Sequence, residues 1–182
     1  MQYKNKLIAI EGILGVGKTT ISKILARELD GVYYNITKKF HEMRLIAENN
    51  LSVEARFHFY LSLNLQASFE MNELLKSKNV ICDKYIWTTI CYYKTFGVNI
   101  IEPLNINILQ PDFHFLLFCD EQKRLARISK RDPINDLSKD VERQNQERKC
   151  LIEFEKRLQN SVINNSSDDP QIAINEILKK ME

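Results

Sequence analysis

The sequence predicts an α/β fold, a parallel sheet with helices on both faces. Three observations carry that prediction. Short apolar runs alternate with segments whose apolar residues recur at three- and four-residue spacing. The first run, residues 6–10, passes through a glycine-rich turn into helical spacing at Ile21, Ile24, Leu25 and Leu29. The third run, residues 79–82, ends on the carboxylate Asp83. In a parallel sheet the carboxyl ends of strands face the ligand crevice.

The glycine turn is the most specific stretch. Residues 11–20 read EGILGVGKTT, which fits G-x-x-x-x-G-K-[ST] with Gly12, Gly17, Lys18 and Thr19 at the fixed positions. Gly15, Val16 and Thr20 complete the loop. Glycines let successive N–H groups turn inward, and the helix start adds free donors and a partial positive charge. Polyphosphate binding needs those features. Lys18 would neutralise the β- and γ-phosphates of ATP, and the Thr19 hydroxyl would ligate Mg²⁺.

The remaining elements follow in order. Residues 32–36 form a second strand after Asp30-Gly31, and residues 38–49 a helix. Ser52 opens the next helix, with Glu54 in its first turn, running to about residue 77. That helix is apolar on most sides, so it is buried or lies at a subunit interface. Asn64, polar among apolar neighbours, needs a partner. After the third strand a helix spans residues 84–93. The fourth strand is 113–118, following Pro111-Asp112, and the fifth is 161–164. Pro170 starts a final helix with Ile174, Ile177 and Leu178 as its stripe.

A chain of 182 residues suits one domain with a full core, spanning 1–182. A net charge of +2 makes no case for a nucleic-acid or membrane partner. The apolar runs are too short to span a bilayer, and the N-terminus shows no signal peptide. Cys82, Cys91, Cys119 and Cys150 form no C-x-x-C pair, which reads as reduced thiols in a cytoplasmic protein.

Between the fourth and fifth strands, Arg124, Arg127 and Arg131 stand three and four residues apart, on one helical face. Three guanidinium groups on one face call for an anion or for carboxylates opposite. Beside a phosphate loop, a transferring phosphoryl group is that anion. Residues 132–139, with Pro133, Asn135, Asp136 and Ser138, read as the tip of a lid covering about 123–145.

Together these residues resemble the thymidylate kinase and deoxynucleoside kinase group of P-loop kinases, thymidylate kinases most of all. The E-G-x-x-G-x-G-K-[ST] loop matches Glu11 to Thr19, and D-R-[YS] after the third strand appears as Asp83-Lys84-Tyr85. Thr88 and Tyr92 match a further hydroxyl and tyrosine, and Arg127 and Arg131 the R-x-x-x-R of the lid. The resemblance implies a three-layer P-loop NTPase fold with a five-stranded parallel sheet in order 2-3-1-4-5. It implies a homodimer, and γ-phosphoryl transfer from ATP–Mg²⁺ to a (deoxy)nucleoside monophosphate, dTMP to dTDP being the best match. In that scheme Lys18, Asp83, Arg127 and Arg131 are catalytic, Thr19 and Asp83 serve the metal, and Arg124 joins the loop in holding ATP. Glu11, Arg44, Phe59, Asn64, Lys84, Tyr85 and Tyr92 bind substrate. Arg44 and Lys84 would neutralise the acceptor phosphate. For Phe59 and Tyr85, base stacking and core packing are both open. The family places adenine near residues 165–170.

The chain departs from thymidylate kinases at Leu14, at Lys84, and at residues 34–37, where no arginine or glutamate follows the second strand. Two alternatives therefore stand beside the monophosphate kinase: a deoxynucleoside kinase, and a regulatory module that binds ATP without turnover.

Overall fold

The computed structural model describes residues 5–100, 107–131, 140–158 and 161–182. The order is β1 (Leu7–Glu11), α1 (Lys18–Glu28), β2 (Val32–Tyr34), α2 (Ile36–Lys39), α3 (His41–Asn50), α4 (Val53–Leu74), β3 (Val80–Asp83), α5 (Ile86–Lys94), β4 (Phe113–Phe118), α6 (Glu121–Arg131), α7 (Val141–Leu158), β5 (Ser161–Asn164) and α8 (Pro170–Lys180). The five strands pair in parallel in the order β2-β3-β1-β4-β5, as the resemblance implies.

β1 is central and buried at all five residues, LIAIE. A strand covered on both faces reads as a continuous apolar run, which is why it was legible. Helices α1 and α8 pack together on the sheet, while α5 packs between α4 and α7, and α7 packs against β4. Those are the two helical layers. The β1–β3 register pairs Ile10 with Asp83. It brings the carboxylate at the end of β3 beside the loop that leaves β1, where the strand order reverses.

Local chemistry sets the boundaries. Ser52 caps α4 by accepting from Ala55 N at 3.3 Å, with Glu54 in the first turn. Asp169 caps α8 through Gln171 N at 2.9 Å, with Pro170 just inside. The second strand is shorter than expected. Asn35 leaves it to cap α2, accepting from Lys38 N at 2.7 Å. The single helix expected at 38–49 is two, broken at Phe40. The helix after β3 starts at Ile86 rather than at residue 84, because Lys84 adopts a φ of 54°. Helix α7 had no sequence expectation beyond the lid's edge. Residues 132–139, the expected lid tip, lie outside the described residues.

Candidate active site

The loop between β1 and α1 curls as its glycines demand. Gly15 and Gly17 have φ of 86° and 97°. A Cβ at Gly15 would stand 2.7 Å from Ile128 Cγ1, and one at Gly17 would stand 2.3 Å from Asn165 Nδ2. Both positions combine left-handed backbone with close approach, so only glycine fits. No side chain caps α1 and no acidic residue sits in its first turn. Its first N–H groups are left for an anion.

Lys18 Nζ donates to Gly12 O at 2.6 Å and Ile13 O at 2.7 Å, folding back over its own loop. Burial pulls its pKa down to about 8, against the opposing pull of Asp83. Two of its three protons are engaged and one remains for a ligand. The Val16 carbonyl accepts from Asn165 Nδ2 at 2.8 Å, tying the loop to the turn after β5.

Asp83 is the hub of the site. Its Oδ2 accepts from Thr19 Oγ1 at 2.6 Å, Tyr33 OH at 2.9 Å and Asn35 Nδ2 at 2.9 Å. Among the described residues no donor reaches Oδ1. One carboxylate oxygen is thus fixed by three donors while the other stays open beside the Thr19 hydroxyl. Hydroxyl and carboxylate oxygens are the hard donors that suit Mg²⁺, which takes one or two protein ligands and completes its shell with water and phosphate. No cluster of three or more His, Cys, Asp or Glu exists among the described residues to hold a metal another way.

These groups line a cleft of ≈ 630 Å³ that runs from Asn35 and Thr37, past Gly15, Lys18, Thr19 and Thr20, to Arg127 and the turn after β5. Asn165, Ser167, Asp168 and Pro170 wall that far end, where the adenine was expected. A second pocket of ≈ 310 Å³ is lined by Arg44, Glu48, Arg56, Tyr60, Lys84, Thr88, Thr89, Tyr92 and Tyr93. Lys84 lines both cavities. Burial lowers its pKa, opposed by Glu147.

Arg44 spans the wall of the second pocket. It donates to Tyr60 OH at 2.7 Å, Thr37 O at 3.1 Å and Glu48 Oε1 at 2.8 Å. Burial raises the Glu48 pKa, but the Tyr60 hydroxyl and the Arg44 guanidinium together hold it below the ordinary value. Arg56 brings a third cation, and its buried Nε has no hydrogen-bond partner among the described residues.

Residues 10–177 match the family model described as thymidylate kinase. The chain belongs to the thymidylate kinase family. The "Probable thymidylate kinase" of Methanocaldococcus jannaschii is 30% identical over 135 residues, 70% of this chain and 72% of that one. In fold, the chain is similar to the crystal structure of thymidylate kinase from Ehrlichia chaffeensis, with a TM-score of 0.73 at 21% identity over 98% of this chain and 99% of that one. It is also similar to deoxyadenosine kinase from M. mycoides, with a TM-score of 0.73 at 20% identity over 96% and 98%. Those two likenesses concern the fold alone.

Within the thymidylate kinase fold, the structure places several of the expected residues away from the positions the resemblance implies. Arg124 is fully buried and away from the cleft. It donates to Glu121 Oε2 and Oε1 at 2.9 and 2.6 Å, to Leu14 O at 2.8 Å and to Gln144 Oε1 at 2.6 Å. It braces the loop from beneath instead of meeting ATP, because α6 turns that side inward. Arg127 does line the cleft, but its guanidinium donates to Asn165 O and Ser167 O, both at 3.0 Å. It walls the far end of the cleft. Arg131 ends α6, and its side chain lies outside the described residues.

Glu11 lines neither the cleft nor the second pocket. It is 3% exposed and accepts from Trp87 N and Thr88 N, both at 3.3 Å, and from the Thr88 hydroxyl. It satisfies the open N-terminus of α5, and His114 Nε2 stands 3.6 Å away. Burial would raise its pKa, but His114 and Thr88 bring it below normal. Tyr85 is a core residue, 1% exposed, with its hydroxyl on Leu109 O at 3.1 Å. Phe59 packs edge-on to Tyr60 at 5.5 Å and lies in neither the cleft nor the second pocket. Asn64 sits behind the pocket wall, donating to Tyr60 O at 2.8 Å and Thr89 Oγ1 at 3.2 Å. Tyr92 lines the pocket under Arg143, whose guanidinium is 4.9 Å from its ring centroid.

Sequence reasoning missed Tyr33, Asn35, Glu48, Arg56 and Tyr60. Asn35 alone carried a signal: a capping residue at a strand end, in the place where the family carries charge.

Proposed function

We propose that the chain transfers the γ-phosphoryl group of ATP to thymidine monophosphate. One observation carries the choice of a monophosphate acceptor. The second pocket has three cations, Arg44, Arg56 and Lys84, against one carboxylate, Glu48. The balance, 3 − 1 = +2, complements a monophosphate near −2 at neutral pH. Because Lys84 also lines the donor cleft, the two phosphates would meet at that side chain.

In this reading the loop amides and Lys18 hold the β- and γ-phosphates in the donor cleft. Thr19 and Asp83 would hold Mg²⁺, which would supply positive charge to offset that of the phosphates. Arg127 offers a flat cationic wall for the nucleobase at the far end. Lys84 lies where charge builds between donor and acceptor. The nucleophile is a phosphate oxygen, already ionised, so no strong base is needed. A nucleoside kinase would need one. Glu48, the acceptor pocket's carboxylate, is held with a lowered pKa by Tyr60 and Arg44, which makes it a weak base.

Release of ADP, followed with a coupled assay against a panel of nucleosides and monophosphates, tests this. Turnover with thymidylate is expected. Turnover with nucleosides only would make the chain a nucleoside kinase, and none with any acceptor would favour an ATP-binding module. We also infer a homodimer through α4, whose outer face exposes Leu65 and Phe69 at 39% and 67%, and a cytoplasmic setting that keeps the four cysteines free. Light scattering checks the first: a monomer at assay concentration would refute it.

A further inference from the structure

Residues 34–37 depart from the family's charged pattern, and the structure shows what stands there instead. Asn35 uses both ends of its amide. Its Oδ1 accepts from Lys38 N at 2.7 Å and from Thr37 Oγ1 at 2.9 Å, while Nδ2 donates to Asp83 Oδ2 at 2.9 Å. The acceptor duties fix which end is which. A flipped amide would set its oxygen against the carboxylate and its N–H groups against two donors. The next link reaches the second pocket. The carbonyl of Thr37, in the turn that Asn35 caps, accepts from Arg44 Nη1 at 3.1 Å.

Helix capping by itself does not require asparagine. Asp and Ser cap about equally well, and Asp would be the simpler choice. What only asparagine supplies at this length is an acceptor for the cap together with a donor for Asp83. Resting on the reading above, in which Asp83 serves the donor and Arg44 the acceptor, we propose that Asn35 is a positioning residue that holds these two halves of the site in register. It orients the Asp83 carboxylate so that Oδ1 stays open, and it sets the turn whose carbonyl docks Arg44. Tyr33 shares the first duty only. Its hydroxyl reaches Asp83 Oδ2 at 2.9 Å and also interacts with the Asn35 and Thr19 side chains, but none of its hydrogen bonds among the described residues goes to Thr37 or Arg44.

The test compares Asn35→Asp with Tyr33→Phe. Titration calorimetry would measure binding of ADP with Mg²⁺, and separately of thymidylate, alongside thermal unfolding and turnover. Asn35→Asp keeps the cap but sets carboxylate against carboxylate. It should lower Tm by about 3–12 °C, as the loss of a hydrogen bond to a charged group implies, and, measured well below that Tm, bind both ligands about tenfold more weakly. Tyr33→Phe should weaken only ADP–Mg²⁺ binding. Asn35→Ser, which caps but lacks the amide donor, repeats the test should the aspartate variant fold poorly. Wild-type affinity for both ligands in the Asp and Ser variants would reduce Asn35 to a cap and overturn the proposal. Loss on the ADP side alone, as for Tyr33→Phe, would overturn the link to Arg44. If wild type turned over no monophosphate, the functional reading would fail, yet ADP–Mg²⁺ binding would still decide what Asn35 does for Asp83.

Discussion

Replacing Arg124 with alanine separates a brace from a phosphate ligand. The guanidinium is fully buried and makes four hydrogen bonds, to Glu121, Leu14 and Gln144. Its stem also packs where a Cβ of Gly15 would lie, 3.0 Å from Cγ. Removing it takes a charged donor from the Leu14 carbonyl and from the Gln144 amide oxygen, at about 1.5–3 kcal/mol for each hydrogen bond to a charged group. The Glu121 side chain is 36% exposed, so water largely replaces its share and the ion pair adds little. A loss of about 3 kcal/mol follows, which for a chain of this size lowers Tm by about 6–12 °C. Leu14 lies inside the phosphate loop, so a loosened loop should raise the KM for ATP while kcat, measured well below the new Tm, falls less. Arg124→Lys keeps the charge but cannot reach three acceptors in a fork, and should recover only a small part of the lost stability. Thermal unfolding without nucleotide and steady-state kinetics at fixed acceptor concentration read both effects. An unchanged Tm with kcat down by about a hundredfold or more would show that Arg124 meets the transferring phosphate, and would refute the bracing role.

Lys18→Ala should cut kcat by about 10²–10³-fold, the usual cost of losing one charge donor to the transition state, and its circular dichroism spectrum should match wild type; full retained activity would remove Lys18 from the donor site. The same variant tests a pH effect. The Lys18 pKa lies at about 8 in the folded chain against an ordinary 10.5, so between those values the unfolded chain binds the extra proton and stability rises with pH. Relative to Lys18→Ala, wild type should therefore gain stability from pH 8 to 10.5 and hold a constant difference below pH 8; urea melts showing a flat difference throughout would contradict the shift. Arg44→Ala should raise the KM for thymidylate by about ten- to a hundredfold, since hydrogen bonds to charged groups carry about 1.5–3 kcal/mol. The KM for ATP should barely move, and equal effects on both would take Arg44 out of the acceptor pocket.

The residues of the phosphate loop were easier to read than the residues packed around them, and the reason is physical. A phosphate loop is local. Gly12, Gly17, Lys18 and Thr19 must sit at fixed spacing because consecutive backbone groups form the cradle, so the pattern survives in one dimension. Strands rich in apolar residues are local too, and that is why β4, FHFLLF, was placed to the residue. Arg124 shows where this ends. Its helical spacing put it on a face with Arg127, but spacing does not say which side of a helix meets the core. Only the approach of Leu14 and Gln144, 110 and 20 residues away in sequence, turns that side inward. Helix α7 was hidden for a related reason. Its inward face mixes Gln144 and Glu147 with Leu151 and Phe154, so the apolar stripe is broken by the polar groups that serve the site.

Asn35 makes the same point from the other direction. Read as a sequence, it was a gap where charge was expected. Its partner Asp83 lies 48 residues on, and only the parallel pairing of β2 with β3, Tyr34 opposite Cys82, brings the two together. A missing motif residue is therefore poor evidence of lost function in this fold. The requirement is that the Asp83 carboxylate be held with one oxygen open, and any donor delivered to the end of β2 meets it. A neutral amide does so without adding charge to a cleft that already holds Lys18 and Lys84. On the proposed reading, a family member can drop a charged residue after its second strand and still hold the Asp83 carboxylate with one oxygen open, and the consequence of the change falls at the register between donor and acceptor, where the Asn35→Asp comparison looks for it.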